Sequence, residues 1–523
     1  MRFNLLILAL AAAPALAETA ATTPRSPPLF APRNPEINHQ YTGGWEHFVG
    51  GGLASFDCNG DQRPELYAAG GETPAILLRN QSAAGGPVNF TPDTPAALAL
   101  TGVTGAYPLD IDSDGITDLA VLRVGENLIL RGLGDCRFEP FDHLGFSSRT
   151  DGWTTAFSAT WETGQSLPTL AFGNYVDRSN PEGPFETCDS SSLYRPLNRA
   201  YPSPTALKPG YCPLSILFTD WARTGRADLR MSNDRHYYVK DGEEQLWAME
   251  ETPRLYSRQD GWKRYMIWGM GIASRDLTGD GLSEVYLSSM GDQKLQTLSG
   301  SGRPEYIDAT YERGTTAHRP YSGDDGRPST GWHVAFGDVQ NDGLDDIFIA
   351  KGNVEQMPGA AMADPNNLLL QNQDGTFSES GDLAGIGSMA RSRGAVLADF
   401  NNDGLLDLAV VNRRAAMEIY QNVSPDAGNW IAVMPQQTAL NRDAIGAFIE
   451  LRSGDRIQTR EITIGGGHAG GSLGPPHFGL GDATSAQVRV IWPDGTASDW
   501  RDVAANQMFV LTRDGQSLAI SAN

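Results

Sequence analysis

The sequence has no run of about 18 apolar residues, the length a helix needs to cross a bilayer, so no membrane insertion is expected. Cations are in short supply. There are 40 Lys and Arg against 63 Asp and Glu, a formal charge of −23 and a pI near 4.7. A surface of that sign repels phosphate, which excludes nucleic acid and anionic lipid as partners. Cysteine is also scarce. Only Cys58, Cys136, Cys188 and Cys212 are present, none in a C-x-x-C pair, so thiolate zinc sites and redox dithiols are excluded. Long helical patterns are few, and no acid, base and nucleophile set converges.

What is present begins with an export signal. Met1-Arg2-Phe3-Asn4 precedes an apolar stretch from Leu5 to Ala13, followed by Ala15-Leu16-Ala17, the small-residue pattern of a cleavage site. Residues 1–17 are read as a signal peptide and 18–40, rich in Pro, Thr and Ala, as a linker. The mature chain is expected in the periplasm or outside the cell. In such an oxidising compartment an even cysteine count favours disulfides. Cys188 and Cys212 close a 24-residue separation inside one Pro-rich insertion, and Cys58 with Cys136 follows by elimination.

With 59 Gly, 32 Pro and frequent Asp-Gly turns, the chain reads as many short strands. An apolar strand, an acidic nine-residue loop and a second apolar strand recur. Clear copies start at Gly52, Gly105, Met270, Trp332 and Arg393, and degenerate ones at Ser158 and Leu217. The loops begin at 57, 110, 161, 220, 276, 338 and 399, at intervals of 53, 51, 59, 56, 62 and 61. Each unit continues into a further apolar segment such as NLILRGLG or MEIYQNV, giving a meander of about four strands, the size of a propeller blade. A single such sheet cannot bury both of its faces, so radial stacking is expected. The prediction is an all-β chain: a seven-bladed β-propeller over residues 41–423, with a long insertion at about 176–214, and a small β-domain over 424–523.

The acidic loops carry the chemistry. Oxygen-bearing side chains stand at positions 1, 3, 5 and 9, and glycine at position 6 permits a sharp reversal. The five sets are Asp57, Asn59, Asp61, Glu65; Asp110, Asp112, Asp114, Asp118; Asp276, Thr278, Asp280, Glu284; Asp338, Gln340, Asp342, Asp346; and Asp399, Asn401, Asp403, Asp407. They hold sixteen carboxylates. Hard oxygen donors without His or Cys select calcium, so about five structural Ca2+ ions are expected. Gln62 replaces the usual glycine in the first loop and Thr278 a carboxylate in the third set, which predicts weaker sites there. No helices flank the loops, so the ions should staple blades rather than operate a switch.

The D-x-[DN]-x-D-G-x-x-D repeat resembles the FG-GAP/VCBS repeats of integrin α-chain propellers and of many secreted bacterial proteins. Asn441 to Leu451 (NRDAIGAFIEL), Gly465 to Gly481 (GGGHAGGSLGPPHFGLG) and Val488 to Gly495 (VRVIWPDG) resemble the ASPIC/UnbV domain. Together they are similar to the bacterial branch of the cartilage acidic protein family. The resemblance implies an exported calcium-binding propeller of adhesion type and brings no settled catalytic residues. Blades three and four depart from the pattern, which should remove their calcium sites and leave their faces free for another role.

Other constellations weigh less. Gly470-Gly471-Ser472-Leu473-Gly474 fits G-x-S-x-G, but Pro475-Pro476 forbids the helix a nucleophile elbow needs. His468 and His477 share a Gly-rich loop but match no zinc spacing, so they are expected to anchor a hairpin. Trp153, Trp268 and Trp332 enter inner strands, where core packing is the first expectation and sugar stacking the second. Asp234, Arg235 and His236 form a polar patch after the fourth loop, a candidate ligand surface. The expected function is a binding scaffold for a protein or glycan partner. The alternative is a hydrolase or lyase at the channel mouth, using His236 with Glu243 and Glu244.

Overall fold

The computed structural model describes residues 25–180, 187–234, 242–300, 302–316, 327–515 and 517–522. The chain is all-β and propeller-like. Among the described residues, six sheets are built around successive four-stranded meanders, a seventh joins a three-stranded meander to an N-terminal strand, and two further sheets belong to the C-terminal domain. The second sheet shows the pattern: Val103–Leu109, Asp118–Arg123, Leu128–Gly132 and Phe138–Pro140 pair antiparallel in chain order. The inner strand of each sheet touches the inner strand of the next, and that of the seventh, Arg391–Ala398, touches that of the first, Leu53–Phe56.

Position in the ring explains the residues. Val103–Leu109, Thr154–Thr160 and Pro213–Thr219 are buried along their whole length, because both faces pack on neighbouring sheets. They therefore read as near-continuous small and apolar runs rather than as alternation. The outer strands Phe90–Pro92, Phe138–Pro140 and Tyr306–Asp308 each bury one aromatic ring and expose the two residues after it. Burying such a ring contributes about 1.5–3 kcal/mol, enough to pin a short edge strand. Between sheets, Phe90 meets Phe400 edge-on at 5.2 Å and Tyr107 meets Phe157 at 5.4 Å.

The linker expectation for residues 18–40 needs correction. Phe30–Arg33 is the outer strand of the last sheet, antiparallel to Glu418–Asn422 with Phe30 opposite Asn422. The last sheet thus takes three strands from one end of the propeller sequence and one from the other. Both disulfides are present as paired above. Cys58–Cys136 ties the first sheet to the second, and Cys188–Cys212 ties the insertion to the fourth inner strand.

In the C-terminal domain, Asn429–Gln437 runs parallel to Gln507–Asp514 and antiparallel to His477–Gly481. A second sheet places Phe448–Ser453 between Arg456–Glu461 and Ser485–Ile491. Ile431, Val433, Ile449, Leu451, Val488 and Val490 form the core between them.

Candidate functional site

The five acidic loops share one backbone cradle. The N–H at position 6, on Gln62, Gly115, Gly281, Gly343 or Gly404, donates to the position-1 carboxylate at 2.6–2.9 Å. The N–H at position 2, on Cys58, Ile111, Leu277, Val339 or Phe400, donates to the position-9 carboxylate at 2.8–3.0 Å. These bonds require a left-handed residue at position 6, where φ is 84–86° at the four glycines and 65° at Gln62. A glutamine tolerates that region at a cost, so the first loop folds like the others despite its sequence.

The cradle buries the position-9 carboxylate in all five loops and the position-1 carboxylate in three of them. Asp110, Asp118, Asp276, Glu284, Asp338, Asp346 and Asp407 are all buried. Removal from water, reinforced by the neighbouring acids of the same loop, pushes Asp118 up to about 8. The same causes push Glu65, Glu284 and Asp399 to about 7. Asp338 and Asp346 rise well above the usual range for the same reasons. In the second loop, Asp110, Asp112 and Asp114 each offer an oxygen within 4.8 Å of the others. Three carboxylate oxygens so close fit one hard divalent ion, with Asp110 already oriented by its backbone bonds. Arg131 also reaches this cluster, 2.8 Å from Asp114 and 3.2 Å from Asp112.

The fourth, degenerate loop satisfies its acids within the chain. Asp220 keeps the position-6 bond, from Gly225 at 2.7 Å, but Asp228 is held by the Trp221 indole at 2.9 Å and by Arg226 at 3.1 Å. This loop is not free for another role. Glu461 of the C-terminal domain accepts the Asp220 N–H at 2.7 Å, and Arg223 pairs with Glu450 at 2.7 Å.

The C-terminal domain docks on this face at the second, sixth and seventh loops as well. The Asn441 N–H bonds Ser113 in the second loop at 2.9 Å, and the carboxylate of Asp443 adds to the upward pressure on Asp110, which reaches about 7. At the sixth loop, Arg460 pairs with Asp345 at 2.9 Å, both buried, and His477 bonds Asn341 at 2.7 Å. At the seventh, the Trp430 indole lies against Gly404, where a Cβ would overlap it.

From this face residues 464–473 enter the ring and fill its axis. Backbone bonds link them to successive inner strands: Ala159 to Ile464, Gly466 to Ile216, Gly467 to Ile272, Gly471 to Ala106 and Ser55 to Gly471. The His468 N–H donates to His333 at 3.1 Å, so six of the seven inner strands are engaged. Glycine is required on both sides of the contact. A Cβ on Gly52 or Gly105 would overlap the Ala469 carbonyl, and one on Gly470 would overlap the Leu53 backbone. Inside the plug, the His468 ring takes the Gly50 N–H on Nε2 and faces the Met270 carbonyl through Nδ1, each at 3.2 Å. Burial holds its pKa down at about 3, so it is neutral. The sequence reading placed His468 and His477 in one loop function; the structure separates them, one on the axis and one at the sixth acidic loop. Ser472 lies in a short strand parallel to Leu53–Phe56, with no helix after it.

The opposite mouth of the ring is a pocket. Trp45, Phe48, Trp153, Tyr175, Asp234 and Trp332 are among the residues that line a cavity of about 60 Å3. Of the polar patch read from sequence, Asp234 is here, and Arg235 and His236 lie outside the described residues. The acids named for catalysis are otherwise engaged. Glu244 is buried and accepts the Asn233 N–H at 2.8 Å, and Glu243 faces Arg264 at 3.4 Å.

Comparison with known proteins bears on both parts of the chain. Residues 437–518 match the family described as ASPIC and UnbV, and residues 358–410 match the FG-GAP-like repeat. Cartilage acidic protein 1 of Mus musculus is 26% identical over 248 residues, 46% of this chain and 36% of that protein. The Homo sapiens protein is 27% identical over 248 residues, 46% of this chain and 35% of its own length. The match thus spans about a third of these relatives. Among solved structures, BBS1N in complex with ARL6DN aligns with a TM-score of 0.45 at 11% identity, over 77% of this chain and 99% of that one. An Agrocybe aegerita lectin that recognises non-reducing terminal N-acetylglucosamine aligns with a TM-score of 0.39 at 15% identity, over 72% and 94%.

Proposed function

We propose that this chain, which matches the cartilage acidic protein-like family in its repeat and in its C-terminal domain, is an exported, calcium-stapled scaffold that binds a protein or glycan partner. The observation that carries this reading is the five-fold recurrence of one cradle, its position-9 carboxylate buried in every copy, on the face where the second domain docks. Among the described residues no helix is long and apolar enough to cross a membrane, and two disulfides are formed, in keeping with export.

Calcium, when bound, would neutralise each cluster and tie its loop into a single conformation. The chain's own residues supply the rest. Asp57, Asp110, Asp276, Asp338 and Asp399 are held by the position-6 N–H, which aims their carboxylates before any ion arrives. Glu65, Asp118, Glu284, Asp346 and Asp407 link the loop to the start of the second strand. With one face covered by the C-terminal domain and the axis filled by residues 464–473, the opposite mouth and the blade rims are left to a partner.

The test is equilibrium calcium binding to chelator-treated protein, with ions counted per chain while the melting temperature is followed. About five ions with a large stabilisation is the expected result. None, or one without thermal effect, would overturn the calcium assignment.

A further inference from the structure

The outer edge between the fourth and fifth sheets carries a groove of about 560 Å3. Arg258, Lys263 and Arg264 reach it from the segment after Arg254–Leu255, the outer strand of the fourth sheet, and Arg303 and Glu305 from the turn between Lys294–Leu298 and Tyr306–Asp308 of the fifth. In a chain whose acids outnumber its cations by 63 to 40, this lining is inverted: four cations face one carboxylate, that of Glu305. Lys263 meets Glu305 at 3.5 Å, and Arg264 meets Glu243 at 3.4 Å. The other two cations are not neutralised. Arg303 lies over Gly261 and donates to the carbonyls of Asp260 at 3.2 Å and Gln259 at 3.0 Å, which fix its guanidinium without cancelling its charge. The Asp260 carboxylate itself turns to Arg254, at 3.1 Å. Arg258 is exposed and, among the described residues, has no carboxylate as an ion-pair partner; Glu243 feels it only at longer range. Trp262, 4% exposed, is the most buried of the lining residues, and the guanidinium of Arg230 lies 5.3 Å from its ring and 4.5 Å from that of Tyr306. Arg230 is 1% exposed and donates to Gln296, while its Nε and Nη1 have no partner and no carboxylate pairs with it among the described residues. A buried charge is little screened, so the groove is held positive from below as well as from its walls.

From this arrangement we infer that the groove binds the carboxylate of an acidic sugar, a uronic acid residue of a glycan. Charge, size and lining select that class. Arg258 and Arg303 supply planar donor forks matched to a carboxylate. The volume falls within the range of small-ligand sites, about 300–1,000 Å3, so the groove takes a short saccharide rather than a lone ion. Around the carboxylate, sugar hydroxyls can accept from Lys263 and donate to Glu305, whose mutual contact is loose and half-exposed and therefore opens at little cost. An acidic peptide would need an apolar anchor beside its charge, and the lining offers only Trp262, already buried against Tyr306 and Arg230. The net charge of −23 sets a limit on length. An extended polyanion would meet the acidic surface beyond the groove, so an isolated uronic acid residue is favoured over a polyuronate.

This inference rests on the reading of the molecule as a binding scaffold, names its ligand and is independent of calcium. The test is calorimetric titration of the mature protein at low salt with the methyl glycoside of glucuronic acid, and with methyl glucoside, which has the same ring and no carboxylate. The acid should bind saturably, about tenfold or more tighter than the neutral sugar, and should weaken as salt rises. Arg258→Gln and Arg303→Gln, both at the exposed edge, should each weaken the acid about tenfold while the melting temperature holds. Equal affinity for the neutral sugar, no saturable binding of the acid, or unchanged binding in both variants would overturn the inference. So would a tetra-aspartate peptide or inorganic sulfate that binds as tightly as the uronate, the first marking a peptide site and the second a general anion patch. None of these results would alter the calcium count, so failure here and failure of the calcium-stapled reading are distinguishable.

Discussion

With calcium in the acidic loops, as proposed, stripping it should reverse the way stability depends on pH. Five desolvated loop acids carry the effect: Glu65, Asp110, Glu284 and Asp399, pushed to about 7, and Asp118, pushed to about 8. In the unfolded chain such groups titrate near 4. A carboxyl whose folded pKa is raised binds its proton more tightly in the native state, so the native state is favoured in mild acid and loses that advantage as pH climbs from about 4 towards 7. Each group then forfeits about 4 kcal/mol over a three-unit span, at ~1.4 kcal/mol per unit. Five independent groups would forfeit about 20 kcal/mol, more than a typical protein's whole stability. Even a quarter of that, about 5 kcal/mol, lowers the melting temperature by roughly 5 °C in a chain of this length. Calcium binds the ionised form, so its stabilisation grows with pH and opposes the loss. Scanning calorimetry from pH 5 to pH 8 on chelator-treated protein should show a falling melting temperature, and saturating calcium should hold it level or raise it. A metal-free melting temperature that is flat or rising across that range, or no calcium effect at pH 8, would refute the reasoning.

Three further outcomes test the architecture. Gly105→Ala drives a methyl into the Ala469 carbonyl at the axis, and urea unfolding should show a loss of about 3 kcal/mol or more; a change below about 0.5 kcal/mol would mean that the plug is not seated as described. Asp345→Ala leaves the buried Arg460 guanidinium without its carboxylate, for an expected cost of about 3–5 kcal/mol, whereas an exposed pair such as Arg254 with Glu250 should cost under about 1 kcal/mol when broken. Deleting residues 25–34 removes the strand paired with Glu418–Asn422 and exposes that edge, so limited proteolysis should cut the last sheet first.

Much of the molecule was legible because its signals are local. The acidic loop is a short-range device. Alternate oxygen donors and a left-handed residue at position 6 are set within nine residues, so the recurring spacing marked where the strands on either side must lie. Blade-sized meanders followed from the same repeat, and the cysteine pairs followed from number and proximity. Phe30–Arg33 was missed because four residues beginning Phe-Ala-Pro carry no strand pattern; only the open edge beside Glu418–Asn422 makes them one.

The plug and the pocket lie beyond the reach of sequence spacing for a related reason. GGGHAGG looks like a flexible loop until the ring is closed. Then the same absence of side chains is what lets one backbone pass between inner strands whose own Gly52 and Gly105 leave room for it. The axial pocket likewise unites residues 45, 153, 175, 234 and 332, which stand far apart in the chain and meet only because different sheets converge on one axis. The sequence by itself determined the repeat, the strand content, the acidic loops and the disulfide pairs, because each is written in a few neighbouring residues or in a regular interval. Tertiary structure alone decided which face the second domain covers, what fills the channel and which aromatic rings meet, because those contacts join residues far apart in the chain and depend on how the sheets pack.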